Sequence, residues 1–219
     1  MHPMKVRLTS ITAGVDGPVA TESLILYCAK VSNPNAQDSG DTKLLKYLIT
    51  NNHWSPFEMA SMCLEIETSR AISAQILRHR SFSFQEFSQR YADPSVLGEI
   101  EFYNARRQDL KDRQNSIDDM AQGDQDWWVW AQGDNSARSL DIYEEAIARG
   151  IAKEQARFVL PMATKTKLYM NGTVRSWLHY FQVRAFDKAG KTQKEHKDIA
   201  LAGFEIFKTY FPVTASALL

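Results

Sequence analysis

The chain has 219 residues, 44% hydrophobic and 24% charged, which is ordinary globular composition for one domain. Its 26 basic and 26 acidic residues cancel, which argues against nucleic-acid binding through bulk charge. The N-terminus (Met1-His2-Pro3-Met4-Lys5) lacks an apolar signal core and no stretch is long enough to span a bilayer, so a cytoplasmic protein without nucleic-acid or membrane partners is expected.

Residues 5–9 alternate, with Val6 and Leu8 on one side, and predict a short strand. Residues 22–31 predict a helix with Leu24, Ile25, Tyr27 and Cys28 on its apolar face, Thr21 as its cap and Asn33-Pro34 as its stop. Residues 41–51, starting at Asp41, predict an amphipathic helix with Leu44, Leu45 and Leu48 inward. A turn follows at 53–58. Residues 59–68 predict a strand with Met62, Leu64 and Ile66 on one face, and residues 70–79 a helix.

Residues 103–137 are rich in Asp, Gln and Arg and carry Trp127, Trp128 and Trp130. An Ala-Gln-Gly-Asp tetrapeptide at 121–124 recurs at 131–134, too little to imply a repeat architecture. The stretch reads as a peripheral insertion at about 103–137 of a single domain spanning 1–219, its tryptophans packed against the body or a partner subunit. Residues 139–150 and 152–159 predict helices, the second ended by Leu160-Pro161. Another helix is predicted over 173–184, and a last one over 191–210 with Ile199, Ala202, Ile206 and Phe207 inward and Pro212 as its stop. Helices dominate with a few strands, so the class is α+β.

There is no dinucleotide-binding glycine fingerprint, no Walker phosphate loop and no metal-ligand spacing, and only ten glycines. Any phosphate must therefore be held by side chains. The two cysteines, Cys28 and Cys63, sit in apolar surroundings and read as buried thiols. Neither has a cationic cluster beside it that would activate a thiolate. Arg78, Arg80 and Arg90 fall within thirteen positions, bracket Ser81, Ser83 and Ser88, and share the segment with one acid, Glu86. Guanidinium forks fit phosphate and carboxylate, and the interleaved Phe82, Phe84, Phe87 and Tyr91 suit a flat ligand. Read alone, the same stretch fits better a loop whose arginines pair with surface acids and whose phenylalanines are core. Arg157 lies in an apolar helix. In the 173–184 helix Arg175 and His179 share a face, while Arg184 points to roughly the opposite side. That helix serves two anionic groups, or else carries solvated charges.

The segment Arg78-His79-Arg80-Ser81-Phe82-Ser83-Phe84-Gln85-Glu86-Phe87-Ser88-Gln89-Arg90 fits the pattern R-H-R-x-x-S-x-x-x-x-S-x-R. It resembles the signature of the flavin-dependent thymidylate synthases. Three further elements resemble that family in the same order: His53-Trp54-Ser55-Pro56-Phe57-Glu58, Ala156-Arg157-Phe158-Val159-Leu160-Pro161, and the helix from Thr173 to Arg184. The family usually has Asn where Gln85 and Thr173 stand.

The resemblance implies a central antiparallel sheet flanked by helices and a homotetramer with its sites between subunits. It implies synthesis of dTMP from dUMP, with methylenetetrahydrofolate as carbon donor and FAD, reduced by NADPH, as hydride source. Arg78, His79, Arg80, Ser55, Thr173, Arg175 and His179 would contact FAD. Gln75, Arg78, Phe87, Ser88, Gln89, Arg90, Arg157 and Arg184 would hold dUMP, and Glu86 would lie where the two ligands meet. Ser88 would orient or polarise the uracil, Arg184 would stabilise charge on it, and His53 would order folate or water.

Overall fold

The computed structural model describes residues 5–15, 21–38, 40 and 42–218. Strand β1 (Val6–Ile11) forms where the alternation predicts it. Helix α1 (Thr21–Ala29) buries Thr21, Glu22, Ile25 and Leu26, so of the predicted face only Ile25 is fully inward. Tyr27 is exposed, Leu24 and Cys28 are half-buried, and Thr21 is the first helical residue instead of a cap. The reason is Glu22. Its carboxylate accepts the backbone N–H groups of Val213 (3.2 Å) and Thr214 (2.6 Å), which fixes that face inward. Helix α2 (Lys43–Thr50) buries Leu45, Leu48 and Ile49, with Leu44 half-buried. Asp41, its predicted start, lies outside the described residues. Asn52 closes this helix in the left-handed region (φ 57), with His53 N–H donating to Leu48 O at 2.8 Å and Asn52 N–H to Ile49 O at 3.1 Å. The chain then enters the turn Ser55–Glu58.

Strand β2 (Ser61–Ser69) and helix α3 (Arg70–Ile76) follow the predicted order. Strand β3 (Ser83–Glu86) lies inside the arginine-rich segment and is not signalled by its sequence. The 103–137 stretch holds a hairpin, β4 (Arg107–Gln108) with β5 (Ser116–Ile117), and the first half of a 27-residue helix, α4 (Gln122–Ala148). A helix predicted from residue 139 thus starts at Gln122. Trp127 and Trp130 are 60% and 64% exposed, so these side chains do not pack into the body of their own chain. Helix α5 (Lys153–Ala156) runs into a 3₁₀ turn at Arg157–Val159. Strand β6 (Lys165–Thr173) is again unsignalled, because its inward residues are Thr166, Leu168, Met170 and Gly172, only two of them large and apolar. Helices α6 (Val174–Arg184), α7 (Lys194–Tyr210) and α8 (Pro212–Ser216) complete the chain. Helix α7 buries Ile199 and Phe207 as predicted, but also His196, Ala200, Gly203 and Phe204, while Ala202 and Ile206 are half-buried. Among the described residues no helix is long and apolar enough to cross a membrane.

The main sheet has the order β1-β2-β6-β3 and every pairing is antiparallel. Leu64 pairs with Met170 and Ile66 with Leu168, so their buried side chains share the inner face. Helices cover that face. The Trp177 indole N–H of α6 donates to Met62 O at 2.9 Å, and Trp177, Phe181, Phe207 and Phe211 continue inward as a run of ring contacts 4.5–5.5 Å apart. The outer face is polar. Arg7 forks onto Glu65 through two 2.9 Å bonds and Lys167 pairs with Glu67 at 3.0 Å. This is the one-sided burial common in antiparallel sheets.

Phe82 seats the arginine-rich segment on this core. Its ring lies 4.8 Å from Trp177 and 5.9 Å from Tyr180, and it fills the space beside Gly172. A methyl group on Gly172 would overlap that ring well inside van der Waals contact. Gly172→Ala should therefore lower the unfolding free energy by about 1–3 kcal/mol, the usual range for overpacking. Urea denaturation of the two proteins measures it, and an unchanged midpoint would contradict the packing described.

Candidate active site

The predicted site residues fall into two groups at the two ends of β3. The strand itself accounts for about 10 Å of extended chain at ~3.3 Å per residue.

The first group gathers around α6. Ser176 Oγ donates to Ser81 O at 3.1 Å, which ties the Arg78–Ser81 turn to the first turn of the helix. Thr173 is the N-cap of α6, its hydroxyl accepting Ser176 N–H at 3.3 Å. Asn and Thr both serve as N-caps, so Thr173 fills the capping role that an Asn could also fill. Arg175 pairs with Glu58 of the 55–58 turn, beside Ser55. At the other end of the helix Arg184 Nε donates to His79 Nε2 at 3.0 Å. The two arginines of α6 thus point to different partners, as their spacing predicts, although only that of Arg175 is an anion. His179 is exposed and its charge acts on His79. Arg78 and Arg80 are exposed, with no side-chain partner among the described residues. His53 is exposed, its ring edge-on to Tyr47 at 6.1 Å.

The second group lies past the far end of β3. Phe87 N–H donates to Lys167 O at 2.8 Å, extending the pairing. Ser88 Oγ accepts Arg90 N–H at 3.4 Å, and Arg90 forks onto Glu154 of α5 at 3.0 and 3.2 Å. Arg157 is half-buried and lies 5.8 Å from the centroid of the Phe158 ring, with no acidic partner among the described residues. Gln89 is buried and its side-chain nitrogen has no hydrogen-bond acceptor among them. Glu86, at the end of β3, is engaged inside the chain. Its Oε1 accepts from Ser73 (2.6 Å), Thr166 (2.9 Å) and Arg70 (2.6 Å). It pins β3 to α3 and β6.

Gln75 lies on α3, three residues before Arg78, and belongs in space with the first group. Its Oε1 lies 3.4 Å from His196 Nδ1, and its Nε2 donates to Gln193 Oε1 at 2.6 Å. His196 Nε2 is 3.1 Å from the Tyr180 hydroxyl, and Tyr180 packs edge-on against His79 at 4.9 Å. Burial, then the charges of Arg184 and His179, lowers the His79 pKa to about 4. Burial, then Arg184 and His79, lowers His196 to about 3. Both rings are therefore neutral near pH 7, and His79 Nε2 must be the unprotonated nitrogen because it accepts from Arg184. Cys28 and Cys63 are half-buried, more exposed than the sequence suggests, and burial pushes the Cys63 thiol up, away from a reactive thiolate.

The family described as "Thymidylate synthase complementing protein" matches residues 16–213. The chain belongs to that family. It is 55% identical over 219 residues to the flavin-dependent thymidylate synthase of Synechocystis sp., covering 98% of this chain and 99% of that one. It is 50% identical over 218 residues to the "Probable flavin-dependent thymidylate synthase" of Paramecium bursaria Chlorella virus 1, with the same coverage. Among solved structures, the UMP/dUMP methylase PolB from Streptomyces cacaoi, bound with 5-Br dUMP, superposes with a TM-score of 0.83 at 25% identity, covering 98% of this chain and 94% of that one.

His196, Gln193, Glu195 and Arg106, which join this region, carry little signal in the sequence. The only local signal is that His196 shares the stripe of Ile199, Ala200 and Gly203 on α7, a polar residue on a buried face. The depressed histidines also set an acid limit on stability. Between pH 6.5 and their native values the unfolded chain binds protons and the folded chain does not, so their contribution is present above pH 6.5 and lost as pH falls. Between pH 7 and 4 His196 should contribute a loss on the order of 3 kcal/mol. Urea midpoints at the two pH values for wild type and His196→Asn measure it, the variant losing less. An equal loss in both would contradict a buried neutral imidazole.

Proposed function

We propose that this chain is a flavin-dependent thymidylate synthase. It makes dTMP from dUMP, with methylenetetrahydrofolate as the carbon donor and FAD, reduced by NADPH, as the hydride source. One observation carries the reading. Arg78, Arg80 and Arg157 have no acidic partner among the described residues, and the buried amide nitrogen of Gln89 has no acceptor, in a protein 55% identical over its length to a flavin-dependent thymidylate synthase. Such donors suit the phosphates of a flavin dinucleotide and a nucleotide.

The residues around α6 fit the flavin: Arg78, His79, Arg80, Ser55, Thr173, Arg175 and His179 form the flavin group. The bound flavin would supply hydride chemistry that no side chain can perform. Ser88, Gln89, Arg90, Arg157, Phe87 and Glu86 form one half of the dUMP site, and Gln75, Arg78 and Arg184 the other. Only Nε of Arg184 is engaged among the described residues. That leaves its terminal nitrogens to stabilise negative charge on the uracil ring. Ser88 keeps its hydroxyl proton available to orient a uracil carbonyl, and His53 orders water or folate at the rim. No thiol nucleophile enters this scheme.

Because the two halves stand at opposite ends of β3, we infer that a complete site combines them from different subunits of a homotetramer. The exposed tryptophans of α4 offer apolar surface for such contacts.

The purified protein should bind FAD with its visible absorption and convert dUMP to dTMP when given methylenetetrahydrofolate and NADPH. A colourless protein that makes no dTMP would overturn the function. Arg90→Ala should weaken dUMP about tenfold or more at intact flavin content, the loss expected for one charge-assisted contact. Arg175→Ala should lose flavin instead, and titrations showing the reverse would refute the partition. Co-expression of these two variants should restore part of the activity that each lacks, since mixed oligomers hold some sites with both arginines. No restoration would argue for sites built within single subunits.

A further inference from the structure

The hydrogen bonds around Gln75 have a single consistent direction. Arg106, from the stretch before β4, forks onto Glu195 at 2.6 and 2.8 Å. Burial alone would raise the Glu195 carboxyl, but the Arg106 guanidinium holds it below the usual carboxylate range. A carboxylate only accepts, so Gln193 must present its amide nitrogen to Glu195 Oε2, at 2.9 Å. Its oxygen therefore faces Gln75, which must answer with Nε2, at 2.6 Å. That leaves Gln75 Oε1 toward His196 Nδ1 at 3.4 Å, so Nδ1 carries the proton. His196 Nε2 is then an acceptor, and the Tyr180 hydroxyl, 3.1 Å away, donates to it. His196 is fully buried and Tyr180 nearly so, so this end of the chain of hydrogen bonds is closed to water. The Gln75 amide is thus oriented from the Gln193 side, which is anchored on the Arg106–Glu195 ion pair, and the His196 tautomer that follows completes the arrangement.

We propose that Arg106, Glu195, Gln193 and His196 are positioning residues that hold the Gln75 amide in one orientation, leaving one N–H and one oxygen lone pair presented to the nucleotide. This gives the 103–137 stretch a function through Arg106: it sets the geometry of a nucleotide contact from outside the site. The inference rests on the reading of Gln75 as a dUMP contact. A side-chain amide that can flip exchanges a donor for an acceptor, so half of its orientations oppose the ligand and the rest must be selected on binding.

The test is calorimetric titration of dUMP into the FAD-loaded enzyme, with steady-state kinetics alongside. Gln193 is exposed, so Gln193→Leu should fold. It should weaken dUMP about tenfold, with kcat at saturating dUMP and the flavin spectrum unchanged. His196→Leu should do the same, and His196→Asn, whose Nδ2 stands where Nδ1 stood, should recover most of the affinity. In a Gln75→Ala background Gln193→Leu should have no further effect on dUMP binding, because the residue it positions is gone. Additive losses in that background would overturn the proposal, as would a lowered melting temperature with unchanged dUMP affinity in Gln193→Leu. Unchanged dUMP affinity in Gln75→Ala would also overturn it while leaving dTMP synthesis by the wild type intact. Absent dTMP synthesis by the wild type would instead refute the functional reading beneath it.

Discussion

Phe82 lying over the bare backbone of Gly172 is the contact on which the site depends. β3 is four residues long and sits at the edge of the sheet, where strand pairing alone is weak. The ring of Phe82 adds a side-chain lock, wedged between Gly172 of β6 and Trp177 and Tyr180 of α6. At the other end Glu86 adds a polar lock through Arg70, Ser73 and Thr166. Between the two locks the strand cannot slip, and a one-residue slip would send every side chain to the opposite face. The arginines before and after β3 therefore stand at fixed places, although most of them are exposed.

Electrostatics divide the region in a way that suits two kinds of work. The interior side of α6 holds neutral imidazoles: His79 and His196 are kept uncharged by burial and by the nearby Arg184. The rim holds permanent cations. A neutral His79 can accept from Arg184, which fixes the direction in which that guanidinium points. A protonated His79 would repel it. Keeping the inner ring neutral is thus the condition for aiming the outer charge, and desolvation is its largest cause.

Legibility in the sequence followed the physics of each element. β2 could be read because Met62, Leu64 and Ile66 alternate against polar neighbours. β6 could not, because Gly172 leaves room for Phe82 and Thr166 donates to Glu86, so two of its inward positions serve neighbours and carry no apolar signal. α4 was half hidden because Gly123, Gly133 and repeated aspartates dilute the helical pattern and its tryptophans face outward. The arginine-rich segment was legible as a candidate anion site, but residue type and spacing alone fit a loop of surface ion pairs as well, and only the wider family pattern chose between them. Glu58 and Glu154 were not legible as partners of Arg175 and Arg90, lying 117 and 64 positions away in the chain. Only the fold brings them near. His196 stood in plain view on an apolar stripe, and a buried polar residue without an evident partner is the signal that could have marked it.

These ion pairs also bear on how a glycine-poor protein can hold phosphates. A glycine-rich loop offers backbone N–H groups that are already ordered. Arginine side chains must be ordered at some cost in rotamer freedom, on the order of 2 kcal/mol each. Arg90 on Glu154 and Arg175 on Glu58 are each held by a carboxylate of the same chain. Both pairs are substantially exposed, and such pairs contribute only about 0–1 kcal/mol. A phosphate that takes the place of the carboxylate thus displaces a weak partner and meets a guanidinium whose direction is already restricted. Arg78, Arg80 and Arg157 lack such a partner among the described residues, so they would be ordered only by the ligand itself. On the proposed reading, specific placement would come from the paired arginines and from the Gln75 amide, while the unpaired ones would add attraction without direction.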